Sequence, residues 1–290
     1  MIAVEGLRKE YGDFVAVEGA TFSVEGGEVF GLVGPNGAGK TTTLKMLAGL
    51  VEPSAGSATV NGYDADDPAM RSTLGWLPEE SPLYEDMTAH TYLRFFADLY
   101  DVDRETADER IAETLDRLDL DRRDRPLGDC SKGMRRKVAI ARSLVNDPDV
   151  LLYDEPASGL DPVTTHTVVE FTRELADAGK TVVFSAHDLY HVESVCDRLA
   201  VVRDGRVVTR GTLEEIRAAH GGTTYRVFTT VPVEGAEAVG PDRWEVVAGD
   251  MERVEAVRAA AVEAGGEVAD IRTDEPSLEE IFLAIAEGGA

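Results

Sequence analysis

One stretch constrains this chain more than any other: Gly34-Pro35-Asn36-Gly37-Ala38-Gly39-Lys40-Thr41-Thr42. It follows an apolar, β-prone run over 28–33 and continues as Thr42-Thr43-Leu44-Lys45-Met46-Leu47 with helical spacing. Strand, glycine-rich loop and helix in that order turn the pattern G-x-x-x-x-G-K-[ST] into a phosphate-binding loop. Gly34, Gly37 and Gly39 are expected at φ > 0, where they turn backbone N–H groups inward without a Cβ in the way. Those N–H groups and the positive end of the following helix make a concave anion site. Lys40 is placed to reach β- and γ-phosphates and the Thr41 hydroxyl to ligate Mg²⁺. Thr42 adds a hydroxyl on the α-phosphate side. The loop predicts a nucleotide site in an α/β fold.

A chain of 290 residues can bury one good core and a small second domain. It carries 29 basic and 55 acidic residues, a net charge of −26, and only 6 of the basic residues are Lys. That acid excess argues against a nucleic-acid partner, whose phosphates need a basic face. With 43% hydrophobic residues and clear periodicity, the chain is not a disordered acidic polymer. Scattered acid and scarce Lys suggest a halophile-like, acid-coated surface suited to a salt-rich cytoplasm. Two cysteines, Cys130 and Cys196, are too few for a disulfide framework and point to a reducing compartment. The opening MIAVEGLRKEYG lacks the pattern of a signal peptide. No apolar run approaches the roughly 20 residues that span a bilayer. A role at a membrane therefore calls for another chain to cross it.

Residues 1–27 alternate as strands do, and Tyr11 lies 23 residues ahead of the loop. Its ring could stack on a purine or sit half-buried in a strand. Strands are expected over 57–61 and 74–77, the second running into a loop at Pro78-Glu79-Glu80. From Met87 to Asn146 the period becomes helical, with Tyr92, Phe95, Phe96 and Leu99 on one apolar face and Ile111, Leu115, Leu118 and Leu120 on another. Within this insert Ser131 is a candidate N-cap. Arg135, Arg136 and Lys137 crowd the first turn, where cations oppose the helix dipole. The cluster is either a solvated basic turn or a sign that an anion belongs nearby. Val150-Leu151-Leu152-Tyr153 reads as a strand buried on both faces, ending in Asp154 and Glu155. Pairing Mg²⁺ with one carboxylate and water with the other suits their alternation. Thr181 to Ser185 is the next buried strand, with His187 just past its end, structural or chemical. Gly221-Gly222 is the expected boundary before a small α+β domain that carries no catalytic constellation.

Six segments in fixed order resemble the ATP-binding subunit of ABC transporters over roughly residues 2–220: GPNGAGKT at 34–41, LPEE at 77–80, CSKGM at 130–134, LLYDEP at 151–156, SGLD at 158–161 and SAHD at 185–188. The resemblance is to the exporter branch with a separate permease chain. It implies a P-loop NTPase core with an N-terminal antiparallel β subdomain and a helical insert at about 86–147, all within 1–220, followed by an accessory domain at 221–290. It also implies ATP and Mg²⁺ as ligands and a multi-spanning permease as partner. Two ATPase subunits would pair head to tail around ATP on the cytoplasmic face of a membrane. Tyr11 becomes the adenine-stacking aromatic, and Asp154 a Mg²⁺ ligand through water. Glu155 becomes the general base, His187 the γ-phosphate contact and Asp161 an organiser of the subunit interface. Glu79 stands where the family has a Gln that senses Mg²⁺ and touches the permease. Ser131 and Gly133 match the signature that closes over the γ-phosphate held by the opposite subunit, although LSGGQ here reads CSKGM. A soluble ABC-type ATPase of macromolecular assembly is the alternative. It fits less well, because such proteins carry paired ATPase units, basic segments or long coiled coils.

Overall fold

The computed structural model describes residues 1–220, 223–274 and 277–287. They divide into two units, Met1–Thr212 and Leu213–Ala290. The expected boundary at Gly221-Gly222 lies outside the described residues. The helix before it, Leu213–His220, is grouped with the second unit, where it packs on the last helix of the chain.

In the first unit the alternating N-terminal sequence forms a hairpin, β1 (Ile2–Tyr11) and β2 (Phe14–Val24). Phe22 and Val24 point inward while Thr21 and Ser23 stay exposed, as a pleated strand demands. Then come β3 (Val29–Val33), the glycine loop, α1 (Lys40–Leu47), β4 (Ala55–Val60) and β5 (Tyr63–Asp64). An antiparallel sheet runs β2-β1-β4-β5. Phe22 of β2 stacks on Phe30 of β3, ring centroids 5.4 Å apart, and so packs this sheet on the central one.

Strand β6 (Leu74–Leu77) leads into the helical insert: α2 (Ala89–Leu99), α3 (Arg104–Arg117) and α4 (Lys132–Ser143). Thr88, Asp103 and Ser131 cap these helices, each side chain accepting a backbone N–H from the first turn. Helix α2 differs from expectation. It buries Tyr92, Leu93 and Ala97, whereas Phe95 and Leu99 are exposed and Phe95 meets Tyr84 edge-on.

The unit is completed by β7 (Val150–Tyr153), α5 (Pro162–Asp177), β8 (Thr181–Ala186), α6 (Leu189–Val195), β9 (Arg198–Arg203) and β10 (Arg206–Gly211). The central sheet runs β10-β9-β3-β8-β7-β6, parallel throughout except at its β10 edge. β3, β7 and β8 are buried along their whole length, which is why they are mostly apolar in sequence, the exceptions in β8 being Thr181 and Ser185. Register aligns their ends: Val33 lies opposite Ala186, and Tyr153 opposite both Phe184 and Leu77. The glycine loop, Asp154-Glu155, His187 and the Glu79 segment therefore leave the sheet at one carboxyl edge, where open α/β sheets bind ligands.

The second unit holds α7 (Leu213–His220), β11 (Thr224–Thr229), β12 (Glu237–Gly240), β13 (Arg243–Ala248), α8 (Met251–Glu263), β14 (Val268–Asp274) and α9 (Leu278–Glu287). Its antiparallel sheet runs β12-β13-β11-β14 and packs Val227, Val246 and Ala248 against Val254 and Val257 of α8. Ser277 and Glu280 close a reciprocal capping box at the start of α9. The mixed α/β architecture, with antiparallel sheets beside a mainly parallel one, agrees with the expected fold class.

Candidate nucleotide site

The glycine loop is shaped by two different constraints. Gly37 and Gly39 adopt φ of 81° and 101°, as expected. Gly34 does not adopt a positive φ. A Cβ there would lie 2.2 Å from the Val202 carbonyl oxygen of β9, so this position needs glycine for close approach. Gly39 meets both demands, since its Cβ would lie 2.4 Å from the Ala16 oxygen. Gly39 is also the N-cap of α1 and offers no side chain to the first-turn N–H groups, and that turn holds no acid. The N-terminus of α1 is thus left as an anion-binding end.

Lys40 is only 5% exposed, and its ammonium donates to the Gly34 and Pro35 oxygens at 2.8 and 3.2 Å. It also stands 3.3 Å from Glu155 Oε1. The Thr41 hydroxyl donates to Asp154 Oδ1 at 3.0 Å, so two of the expected metal-side groups already touch. Glu155 follows in a left-handed conformation, φ 47°, and its Oε2 lies 2.8 Å from His187 Nδ1. A cavity of about 320 Å³ is lined by residues 36–42, Glu79, Glu155, Phe14 and Ala16. Thr41, Asp154 and Glu79 offer hard oxygen donors. They fit Mg²⁺, which binds through one or two carboxylates together with substrate phosphates. A larger cavity of about 670 Å³ shares Glu155 but lies toward the 156–162 turn and α5, away from the loop N–H groups. Phosphate chemistry therefore assigns the smaller one.

Other expected residues lie elsewhere. Tyr11 is not in the cavity lining; it pairs with Phe14 across the tip of the β1–β2 hairpin, and Phe14 is the aromatic that lines the cavity. Ser131, Gly133 and Asp161 form a second group. Ser131 caps α4, and a Cβ on Gly133 would touch the Thr164 hydroxyl at 2.9 Å. Asp161 caps α5 by accepting from the Thr164 N–H and hydroxyl, which hold its carboxyl below the usual range. The signature tip and the SGLD turn are therefore neighbours within one chain.

Two site residues escaped the sequence reading. Ser185 donates to Asp154 Oδ1 at 2.6 Å and accepts from the Glu155 N–H at 2.9 Å. Its only signal was its place at the head of SAHD. Arg136 belongs to the basic cluster expected to be either a solvated turn or the neighbour of an anion, and for this residue the structure shows neither. Its guanidinium is buried against main-chain oxygens, while Lys137 donates to the Asp119 oxygen. An amphipathic pattern cannot distinguish a buried cation with carbonyl partners from an exposed one.

Comparison with known proteins agrees with this geometry. The sequence profile of the ABC transporter family matches residues 17–158. The Nod factor export ATP-binding protein I of Ralstonia nicotianae is 41% identical over 74% of this chain and 68% of its own length. The daunorubicin resistance ATP-binding protein DrrA3 of Streptomyces coeruleorubidus is 36% identical over 97% of this chain and 94% of its own. A dimeric structure of a bacterial ABC transporter cassette shares the fold with a TM-score of 0.67, at 25% identity over 73% of this chain and 99% of that one. Identity above one third across almost the full length of a relative, together with a family match that includes the glycine loop, makes this chain a member of the ABC transporter family: an ATP-binding subunit that hydrolyses ATP with Mg²⁺.

Proposed function

We propose that the chain is the ATP-driven motor of an exporter whose permease is a separate membrane-spanning chain, and that it sits peripherally on the cytoplasmic face of that membrane. The observation that carries the reading is the convergence of Lys40, Thr41, Asp154, Glu155 and Glu79 on one glycine-walled cavity. Relatives named for Nod factor export and daunorubicin resistance support the export direction. Among the described residues no helix is long and apolar enough to cross a membrane. A cavity of about 370 Å³ between the core and the helical insert, lined by Trp76, Phe96, Tyr100, Arg71 and Arg142, offers a seat for a permease segment.

The N–H groups of the loop and of the first turn of α1 grip the phosphate tail of ATP, and Lys40 turns from its carbonyl partners to the β- and γ-phosphates. Thr41 and Asp154 would hold Mg²⁺ with Glu79 beside them, and the ion would supply neutralisation of phosphate charge. Glu155 takes the proton of the attacking water, while its bond to His187 Nδ1 leaves the other ring nitrogen to face the γ-phosphate. Tyr11 and Phe14 at the hairpin tip give the purine an aromatic face. Ser131 and Gly133 of a second copy close over the γ-phosphate, with Asp161 ordering the interface. Cleavage removes that bridge and the dimer opens.

Glu155→Gln tests this directly. The variant keeps ATP binding, elutes as a dimer with ATP and loses at least about 100-fold in phosphate release, as removal of a general base does. Release near the wild-type rate would dismiss Glu155 as the base. A pull-down from membranes that recovers no multi-spanning protein would dismiss the permease.

A further inference from the structure

The helix starts at Lys132, so Arg136 lies in the second turn of α4 rather than in the first as expected, and it is only 7% exposed. Its Nε donates to the Pro156 oxygen at 2.7 Å. Nη1 donates to the Pro78 and Glu79 oxygens at 2.7 and 2.9 Å and reaches Ser81 Oγ at 3.5 Å. Nη2 donates to the Asp154 and Glu155 oxygens at 3.0 and 2.6 Å. None of these acceptors is a carboxylate. Burying a cation on carbonyls alone is costly, and desolvation lowers the guanidinium pKa from its ordinary value to about 10 despite the nearby charges of Asp154 and Glu79. An apolar side chain would fill this place in a helix without that cost. What only the planar fork provides is simultaneous donation to several fixed acceptors.

Those acceptors belong to two segments that both line the nucleotide cavity. One is Pro78-Glu79, leaving β6. The other is 154–156, the turn in which Glu155 sits at φ 47°. A non-glycine residue holds that conformation only where its surroundings impose it. Here the imposition is visible on both sides: Ser185 Oγ takes the Glu155 N–H, and Arg136 takes the Glu155 carbonyl. Arg136 is five positions on from Ser131, about 7.5 Å along the helix, so the tip of α4 and the backbone that carries the guanidinium belong to one element.

We propose that Arg136 is a positioning residue for ATP hydrolysis: it fixes the main chain that aims Glu155 and ties that aim both to the Ser131 helix tip and to the Glu79 segment. The proposal rests on the reading of Glu155 as the base. Docking of the helix tip on a second copy, or displacement of the Glu79 segment by a partner, reaches the carboxylate through one rigid group.

The test uses the full chain carrying Arg136→Lys or Arg136→Met, each alone and with Glu155→Gln. Lysine keeps the charge but has no fork to address both segments. Arg136→Lys is expected to bind a fluorescent ATP analogue within about twofold of wild type, keep its KM and lose about 10- to 100-fold in kcat, the range a displaced catalytic group gives. Added to Glu155→Gln, it causes no further loss in single-turnover hydrolysis, because it acts through that carboxylate. Should Arg136→Met fail to fold, Arg136→Lys carries the test. A merely structural arginine would lower the melting temperature and leave kcat of the folded protein unchanged, and that result overturns the proposal. Glu155→Gln hydrolysing at the wild-type rate removes the base and the proposal together. An inactive Glu155→Gln beside a fully active Arg136→Lys removes only the role of Arg136.

Discussion

Ser185 Oγ stands between the two carboxyl-bearing residues, donating to Asp154 Oδ1 and accepting from the Glu155 N–H. It is fully buried, so Ser185→Ala leaves a backbone N–H and a carboxylate oxygen short of a partner with no water to replace it. The expected loss is about 1–3 kcal/mol, read as a lower urea midpoint at unchanged m-value. ATPase activity should fall as well, with ATP affinity nearly retained, because the displaced groups serve the chemistry more than the phosphate grip. Activity and midpoint both at wild-type values would refute this. The case also marks how far single residues could be read ahead of structure. That Lys40, Thr41, Asp154 and Glu155 lie together was legible, because local spacing puts each at the end of a strand or the start of a helix. Ser185 and Arg136 act on partners brought close only by the sheet. The reason expected for glycine at 34 does not hold, since the requirement lies in the Val202 carbonyl of a strand far along the chain.

At the level of elements, periodicity predicted nearly every buried strand, because two-sided burial writes itself as a continuous apolar run. It failed where exposure removes the pattern. The edge strand β12, Glu237–Gly240, has no buried side chain, and α2 turned its stripe toward Leu93 and Ala97. Joints between elements were equally hidden. Lys180, just before β8, donates to Asp147 Oδ1 at 2.7 Å and to the Pro148 oxygen at 2.9 Å. Arg110 of α3 reaches the other oxygen of Asp147. The hydrogen bond from Lys180, chiefly, holds the Asp147 carboxyl below its ordinary 3.8. A carboxyl with a depressed folded pKa contributes stability that is complete above the unfolded value and disappears as pH falls through the folded one. Asp147→Asn should therefore be less stable than wild type at neutral pH by a constant amount, with the gap closing as pH drops below 3.8. Urea midpoints measured from pH 7 down to about 2.5 decide the point. A gap that persists at the acid end would assign the residue a packing role instead.

For the whole molecule the dominant quantity is charge. Acidic residues exceed basic ones by 55 − 29 = 26. Two effects of added salt oppose each other. Screening weakens exposed ion pairs such as Arg117–Glu174 and Arg173–Asp177, each worth only about 0–1 kcal/mol. It also weakens repulsion among the unmatched acids, which acts between every pair lying within a screening length. That length is roughly 10 Å at 0.1 M salt and about 3 Å at 1 M. With so large an acid excess the second effect should win. Melting temperature should therefore rise as KCl goes from about 0.1 to 2 M, most steeply at the low end where the screening length changes fastest. Chloride is the salt to use, because sulfate would strengthen apolar burial by exclusion and confuse the sign. The same repulsion acts on incoming ATP, itself an anion, so its KM should fall or hold steady over the first few hundred millimolar of salt. A protein drawing nucleotide to a basic surface would show the reverse. Melting temperatures that decline throughout the KCl series would mean that the acid coat does not repel itself appreciably in the fold, and the salt-adapted surface would have to be given up.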